Sequence, residues 1–153
     1  MEKEINVQVV SIEEEHFSIQ YDKLPSSKDD IETIIGYSWI IHPEQSNVAI
    51  SMWIRIQKKG DTGIDKEDIV SLRFSFNVHI DSLFSFVEKQ NDKNAIKLPS
   101  TVLSTIIGDA YATGRVLLSL KLADTSLKDL YLPFNGASNF IKAFQSKESD
   151  KEG

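Results

Sequence analysis

The chain has 153 residues, 17 basic against 23 acidic side chains for a net charge of −6, and no cysteine. That length suits one domain burying about two-thirds of its unfolded surface, and the acidic balance argues against a nucleic-acid partner. The lack of thiols excludes disulfides, thiolate metal centres and cysteine nucleophiles, and fits a reducing, cytoplasmic setting. No stretch approaches the roughly 18 consecutive apolar residues of a membrane span, and the first residues lack the basic-then-apolar order of a leader, so no membrane insertion is expected.

In chain order, apolar residues first recur at every second position, at Ile5, Val7 and Val9 and again at Phe17, Ile19 and Tyr21, on either side of the acidic run Glu13 to Glu15. Period two indicates strand, so this stretch is two strands or one bent strand. Pro25, Ser26, Ser27 and two aspartates then mark a loop. Ile35, Tyr37, Trp39 and Ile41 fall on one face of a second strand, which ends at His42-Pro43 because proline donates no ladder hydrogen bond. A tight hairpin through Glu44 to Asn47 leads to Val48, Ile50, Met52, Ile54 and Ile56, alternating with Ala49, Ser51, Trp53 and Arg55. Trp53 alone is out of character for the wet row.

The strictest alternation follows, with Val70, Leu72, Phe74, Phe76, Val78 and Ile80 set against Ser71, Arg73, Ser75, Asn77 and His79. One face buried and one wet is the mark of an antiparallel sheet covered on one side. The polar stretch Glu88 to Asn94 reads as a surface loop. Pro99 then suits the first helical turn, Ser100 offers a capping oxygen, and Leu103, Ile106, Ile107, Ala110 and Tyr111 recur at helical spacing. Gly114 sits where a left-handed cap would end that helix, with a mixed connection beyond Arg115. Phe140, Ile141 and Phe144 suggest a short terminal helix, and residues 146–153 carry no apolar side chain. The expected organisation is one domain over residues 1–145 and a disordered charged tail over 146–153.

Catalytic chemistry finds little support. His16, His42 and His79 lie on three different strands with no metal-ligand spacing, and neither a nucleophile elbow nor a phosphate-cradling glycine loop occurs. Asp109, Arg115 and Asp124 are read as a helix-end charge network. Three consecutive carboxylates on a strand point to alternating sides, so Glu13, Glu14 and Glu15 cannot converge on one cation and suit a solvated turn or an acidic docking patch. The remaining signal is aromatic: Trp53 on the wet row, and Phe84 and Phe86 just past the strictest strand. Large apolar side chains outside a core often mark a partner surface. For Trp53, packing beneath a covering element is an equal alternative.

Ile5-Asn6-Val7-Gln8-Val9, Phe17-Ser18-Ile19, Ser71-Leu72-Arg73-Phe74-Ser75-Phe76, and the stretch Leu98-Pro99-Ser100-Thr101-Val102-Leu103 through Thr113-Gly114-Arg115 together resemble the SecB family of export chaperones and its SecB-like relatives. Lys121 to Leu127 and Leu132-Pro133 look more like the relatives, some of which serve toxin–antitoxin systems. The resemblance implies an α+β fold: a four-stranded or slightly larger antiparallel sheet with one long helix and a short C-terminal helix on one face. It implies dimers or tetramers with helices sandwiched between sheets. It further implies a non-enzymatic, cofactor-free chaperone or adaptor holding unfolded or nascent polypeptides in apolar grooves, with an acidic sheet face for docking. Tyr37, Trp53, Phe84 and Phe86 are then the candidate groove residues, and Glu13, Glu14 and Glu15 the docking charge. The alternatives are a fixed-partner protein of the same fold and, more weakly, a small-molecule binder or enzyme.

Overall fold

A computed structural model describes residues 6–59, 67–81, 83–90, 93–96 and 98–132. Four antiparallel strands, β1 (Val7–Ile19), β2 (Ile31–His42), β3 (Asn47–Lys58) and β4 (Asp68–Ile80), form a sheet in the order β1-β4-β3-β2. A two-stranded hairpin of β5 (Val87–Gln90) and β6 (Lys93–Ile96) leads to the helix α1 (Ser100–Leu122). The fold is α+β, and its sheet and long helix are those expected from the sequence. The expected short helix around Phe140 and the charged tail lie outside the described residues.

The two central strands carry the core. Val48, Ile50, Met52, Ile54 and Ile56 of β3 and Val70, Leu72, Phe74, Phe76, Val78 and Ile80 of β4 are buried under α1, as their strict alternation requires. The β2–β3 hairpin turns through Pro43–Gln45 and Ser46, whose positive φ of 56° marks the left-handed turn position. β1 is one bent strand, and its bends have a residue-level cause. Register shifts between Val9 and Ser11 and between Glu14 and His16 each insert one residue, so the row facing the helix changes parity twice. Val7, Val9, Ile12, Glu14, Phe17 and Ile19 accordingly stand opposite Ile80, Val78, Phe76, Phe74, Leu72 and Val70. Tyr21 leaves the row, exposed in a short 3-10 turn.

Three expectations are corrected. The stretch from Glu88 to Asn94 contributes to a hairpin, with Lys89 opposite Asn94 and Gln90 opposite Lys93; few apolar residues alternate there, so the period-two signal is weak. Ser100 does not cap the helix: Pro99 occupies the cap position without a side-chain hydrogen bond. Gly114 does not end it either. α1 runs on to Leu122, because Leu118 and Leu122 continue the buried stripe and Gly114 is the point at which the helix backbone touches the sheet. A Cβ there would lie 3.0 Å from the Phe74 ring and 3.2 Å from Ile54 Cδ1. The chain turns at Thr125, whose hydroxyl donates to the Leu122 carbonyl at 2.8 Å and accepts from the Leu127 amide at 3.1 Å. Asp109 and Arg115 therefore lie within the helix and not at its end.

Candidate functional site

An α-helix is about 10 Å wide with its side chains, whereas four strands spaced about 4.8 Å apart form a broader floor. α1 lies over β3 and β4, so the helix-side rows of the edge strands β1 and β2 are only partly covered. The two uncovered margins differ chemically.

Along β2 the margin is aromatic. Tyr37 and Trp39 stack with ring centroids 6.2 Å apart and planes at 22°. Ile35, Tyr37 and Ile41 are half-buried against the core, while Trp39 remains 37% exposed. Burial holds the Tyr37 phenol above its ordinary pKa, so it is neutral at any physiological pH. The opposite face of the same strand is apolar as well, with Ile34 39% and Ile40 59% exposed. Trp53, on β3, faces Gly36 across the ladder and lays its indole on the glycine: a Cβ at Gly36 would fall 2.2 Å from the ring. Trp53 thus lies on the face away from α1, half-buried and with its indole against Gly36 of the neighbouring strand. Gly36→Val is expected to lift the indole into water. In a Trp39→Phe background this appears as a red-shifted tryptophan emission with the fold retained, and unchanged emission would mean the indole rests elsewhere.

Along β1 the margin is aliphatic. A cleft of about 380 Å³ opens between Val7 and Val9 of β1, Phe76 and Val78 of β4, and Val102 and Ile106 of α1. A shallower concavity continues it past Ile12, Val116 and Leu117. At the level of Glu14 and Phe17 it gives way to charge: Lys121 Nζ lies 2.9 Å from the Glu14 carboxylate and 4.8 Å above the Phe17 ring.

The sequence candidates are not gathered on one surface. Tyr37 and Trp53 flank the same edge from opposite faces of the sheet. Phe86 follows β4 in the turn Leu83–Phe86 and is half-buried against the core, and the Phe84 side chain lies outside the described residues. The acidic run is divided as its alternation implies: Glu14 points to the helix side and Lys121, Glu15 pairs with Arg73 at 3.0 Å, and Glu13 stands exposed opposite Ser75. Ile34 and Ile40 are the residues that alternation does not single out, and Trp39, placed by alternation on the row of Ile35 and Tyr37, is not among the sequence candidates. Their signal was apolar residues in both rows of β2, which half-buried strands seldom show.

The face away from α1 is otherwise polar and internally satisfied. Arg55 Nε donates to both Asp68 oxygens at 3.0 and 2.9 Å, and the buried Gln57 amide donates to Asp68 at 2.9 Å. Asn77 donates to Ser11 at 2.9 Å, and His79 bridges Asn47 at 3.1 Å and Asp81 at 3.2 Å. Among the described residues no group of three His, Asp or Glu side chains could hold a metal ion, and no helix is long and apolar enough to cross a membrane.

No family model matches the chain, and no curated protein matches it significantly by sequence. Among solved structures, the SecB-like chaperone of Mycobacterium tuberculosis, solved in complex with a ChAD peptide from the HigA1 antitoxin, is similar over 83% of this chain and 89% of its own, with a TM-score of 0.51 and 9% identity. At that identity the likeness concerns architecture alone, and the four-stranded antiparallel sheet carrying one long helix is a SecB-like fold.

Proposed function

We propose that the protein is a non-catalytic chaperone or adaptor that binds extended, apolar polypeptide segments along the open edge of β2. The observation that carries this reading is the edge itself, twelve residues long with apolar side chains on both faces, Tyr37 and Trp39 on one and Ile34 and Ile40 on the other. A segment added as a further strand gains main-chain hydrogen bonds whatever its sequence, and the flanking aromatics reward apolar side chains. That combination suits a holdase of unfolded or nascent chains and requires no cofactor. The SecB-like fold supports the same reading.

A second reading is favoured by the peptide in the M. tuberculosis structure: a single dedicated partner segment in place of many clients. Fluorescence anisotropy with unrelated unfolded segments separates the two. A holdase binds most apolar segments with comparable affinity, whereas an adaptor is selective. Under either reading Trp39→Ala, Tyr37→Ala and Trp53→Ala are each expected to weaken binding about tenfold, as truncation of an aromatic anchor commonly does. Parent-like affinity in all three would remove the β2 edge from the site. Phe84 and Phe86 are proposed as further contacts and Glu13, Glu14 and Glu15 as docking charge for a basic partner segment.

A homo-oligomer, dimer or tetramer, belongs to the same proposal, with the aliphatic margin of α1 at its contact. Val116 and Leu120 are 55% and 69% exposed there, an exposure that association would relieve. Leu120→Asp should lower the solution mass in light scattering, and an unchanged mass would place the contact elsewhere. A single domain spanning residues 1–145 with a charged tail, located in the cytoplasm, completes the reading.

A further inference from the structure

The cleft between β1 and α1 lies at the opposite edge of the sheet from β2, so binding along β2 leaves it without a role. Its volume of about 380 Å³ falls in the range of sites that take small organic ligands. The apolar part of its lining is made of side chains from the helix-facing rows of β1 and β4 and from α1, among them Val9, Val78 and Ile106. A peptide entering between such walls would leave its backbone donors and acceptors without partners, a cost that an alkyl chain does not incur.

The polar part of the lining is one-sided. It comes from Thr101, Thr105 and Asp109, spaced four residues apart and therefore stacked along one face of α1. The Thr105 hydroxyl donates to the Thr101 carbonyl at 2.8 Å, so it meets a ligand through its lone pairs. The Asp109 carboxylate is exposed and can only accept. Among the described residues no lysine, arginine or histidine lines the cleft. The net charge of −6 adds a field of the same sign over the whole chain. The first turn of α1 favours an anion, but that preference falls off within a turn, and Asp109 lies roughly two and a half turns beyond Ser100.

We propose that this cleft binds a small amphiphilic organic cation, an alkylammonium compound whose aliphatic body lies between β1, β4 and α1 while its ammonium group donates to Asp109 and Thr105. Apolar walls reward the body, and the acceptors at the rim select the charge of the head. Because Asp109 is exposed, the ammonium is paired while water still reaches it, which spares most of the cost of desolvating a cation. The inference is independent of the client reading, which concerns the other edge of the sheet.

Isothermal titration calorimetry on the full chain tests it, with octylammonium chloride as the probe and octanoate as the probe with the same tail and the opposite charge. Octylammonium should bind at one site per chain and about tenfold more tightly than octanoate, the difference expected of one charge-assisted hydrogen bond. Asp109→Asn, a change at an exposed position, should weaken octylammonium binding about tenfold and remove the preference over octanoate. Val9→Trp, on the edge strand where Val9 is 54% exposed, should fill the mouth of the cleft and abolish binding with the circular dichroism spectrum retained. Trp39→Ala, at the other edge, should leave octylammonium binding unchanged. Equal affinity for the two probes, or a preference for octanoate, would overturn the assignment of a cation. Absence of octylammonium binding, or binding that survives Val9→Trp or is lost in Trp39→Ala, would overturn the assignment of the cleft. None of these results bears on whether extended segments bind along β2, so the two readings fail separately.

Discussion

Phe74→Ala is expected to destabilise the protein by about 3–5 kcal/mol, the usual cost of emptying a large aromatic site in a packed core. Phe74 is fully buried at the centre of β4, and its ring edge faces the backbone of α1 at Gly114. The ring fills the space where helix and sheet come closest, and neither can collapse inward, since α1 is a rigid 23-residue helix and β4 is paired on both sides. Total stabilities of domains run at about 5–15 kcal/mol, so this one change removes a large share. Urea denaturation should show a lower midpoint at an unchanged slope. A loss below about 1 kcal/mol would mean that the helix settles into the space, contrary to the rigid contact described.

The reverse change, Gly114→Leu, is expected to cost about 3 kcal/mol by overpacking the same contact. The Cβ alone would sit 3.0 Å from the Phe74 ring, and three further carbons have no volume to enter. Gly114→Ala is the sharper probe, because two effects of similar size oppose each other. Alanine gains about 1 kcal/mol over glycine in a helix interior, while the new methyl pushes on a ring whose neighbours are also packed. The net change should be small or unfavourable. If the contact with Phe74 is the reason, Gly114→Ala should be better tolerated in a Phe74→Leu background, where the ring is gone. A double-mutant cycle measures that coupling, and strict additivity would show that the glycine serves some other purpose.

The same glycine shows why one boundary was misread from the sequence. A glycine after a run of helical apolar spacing satisfies the local rule for a helix stop, and only the position of Phe74 and Ile54 across the interface shows that it marks a close approach instead. Gly36 carries the same lesson in a strand. Beside it Trp53 looks misplaced on a polar row, because the sequence does not show that the residue opposite it on β2 is the one without a side chain. Cross-strand register is a nonlocal property, and so is the surface that depends on it.

Alternation in β3 and β4, the proline that ends β2 and the helical spacing from Leu103 onward determined the sheet, the long helix and the α+β class from sequence alone. They could do so because each rests on period and turn chemistry within a few residues. The division of the acidic run was legible for the same reason, since neighbours on a strand point to opposite faces. The tertiary structure decided what lies at the margins: among the described residues β1 and β2 are the edge strands, α1 lies over the strands between them, and Tyr37, Trp39, Ile34 and Ile40 stand along one of those edges. Strand order is set by which pairings bury the most apolar surface across the whole sheet. No local pattern states which strand will end with one side unpaired.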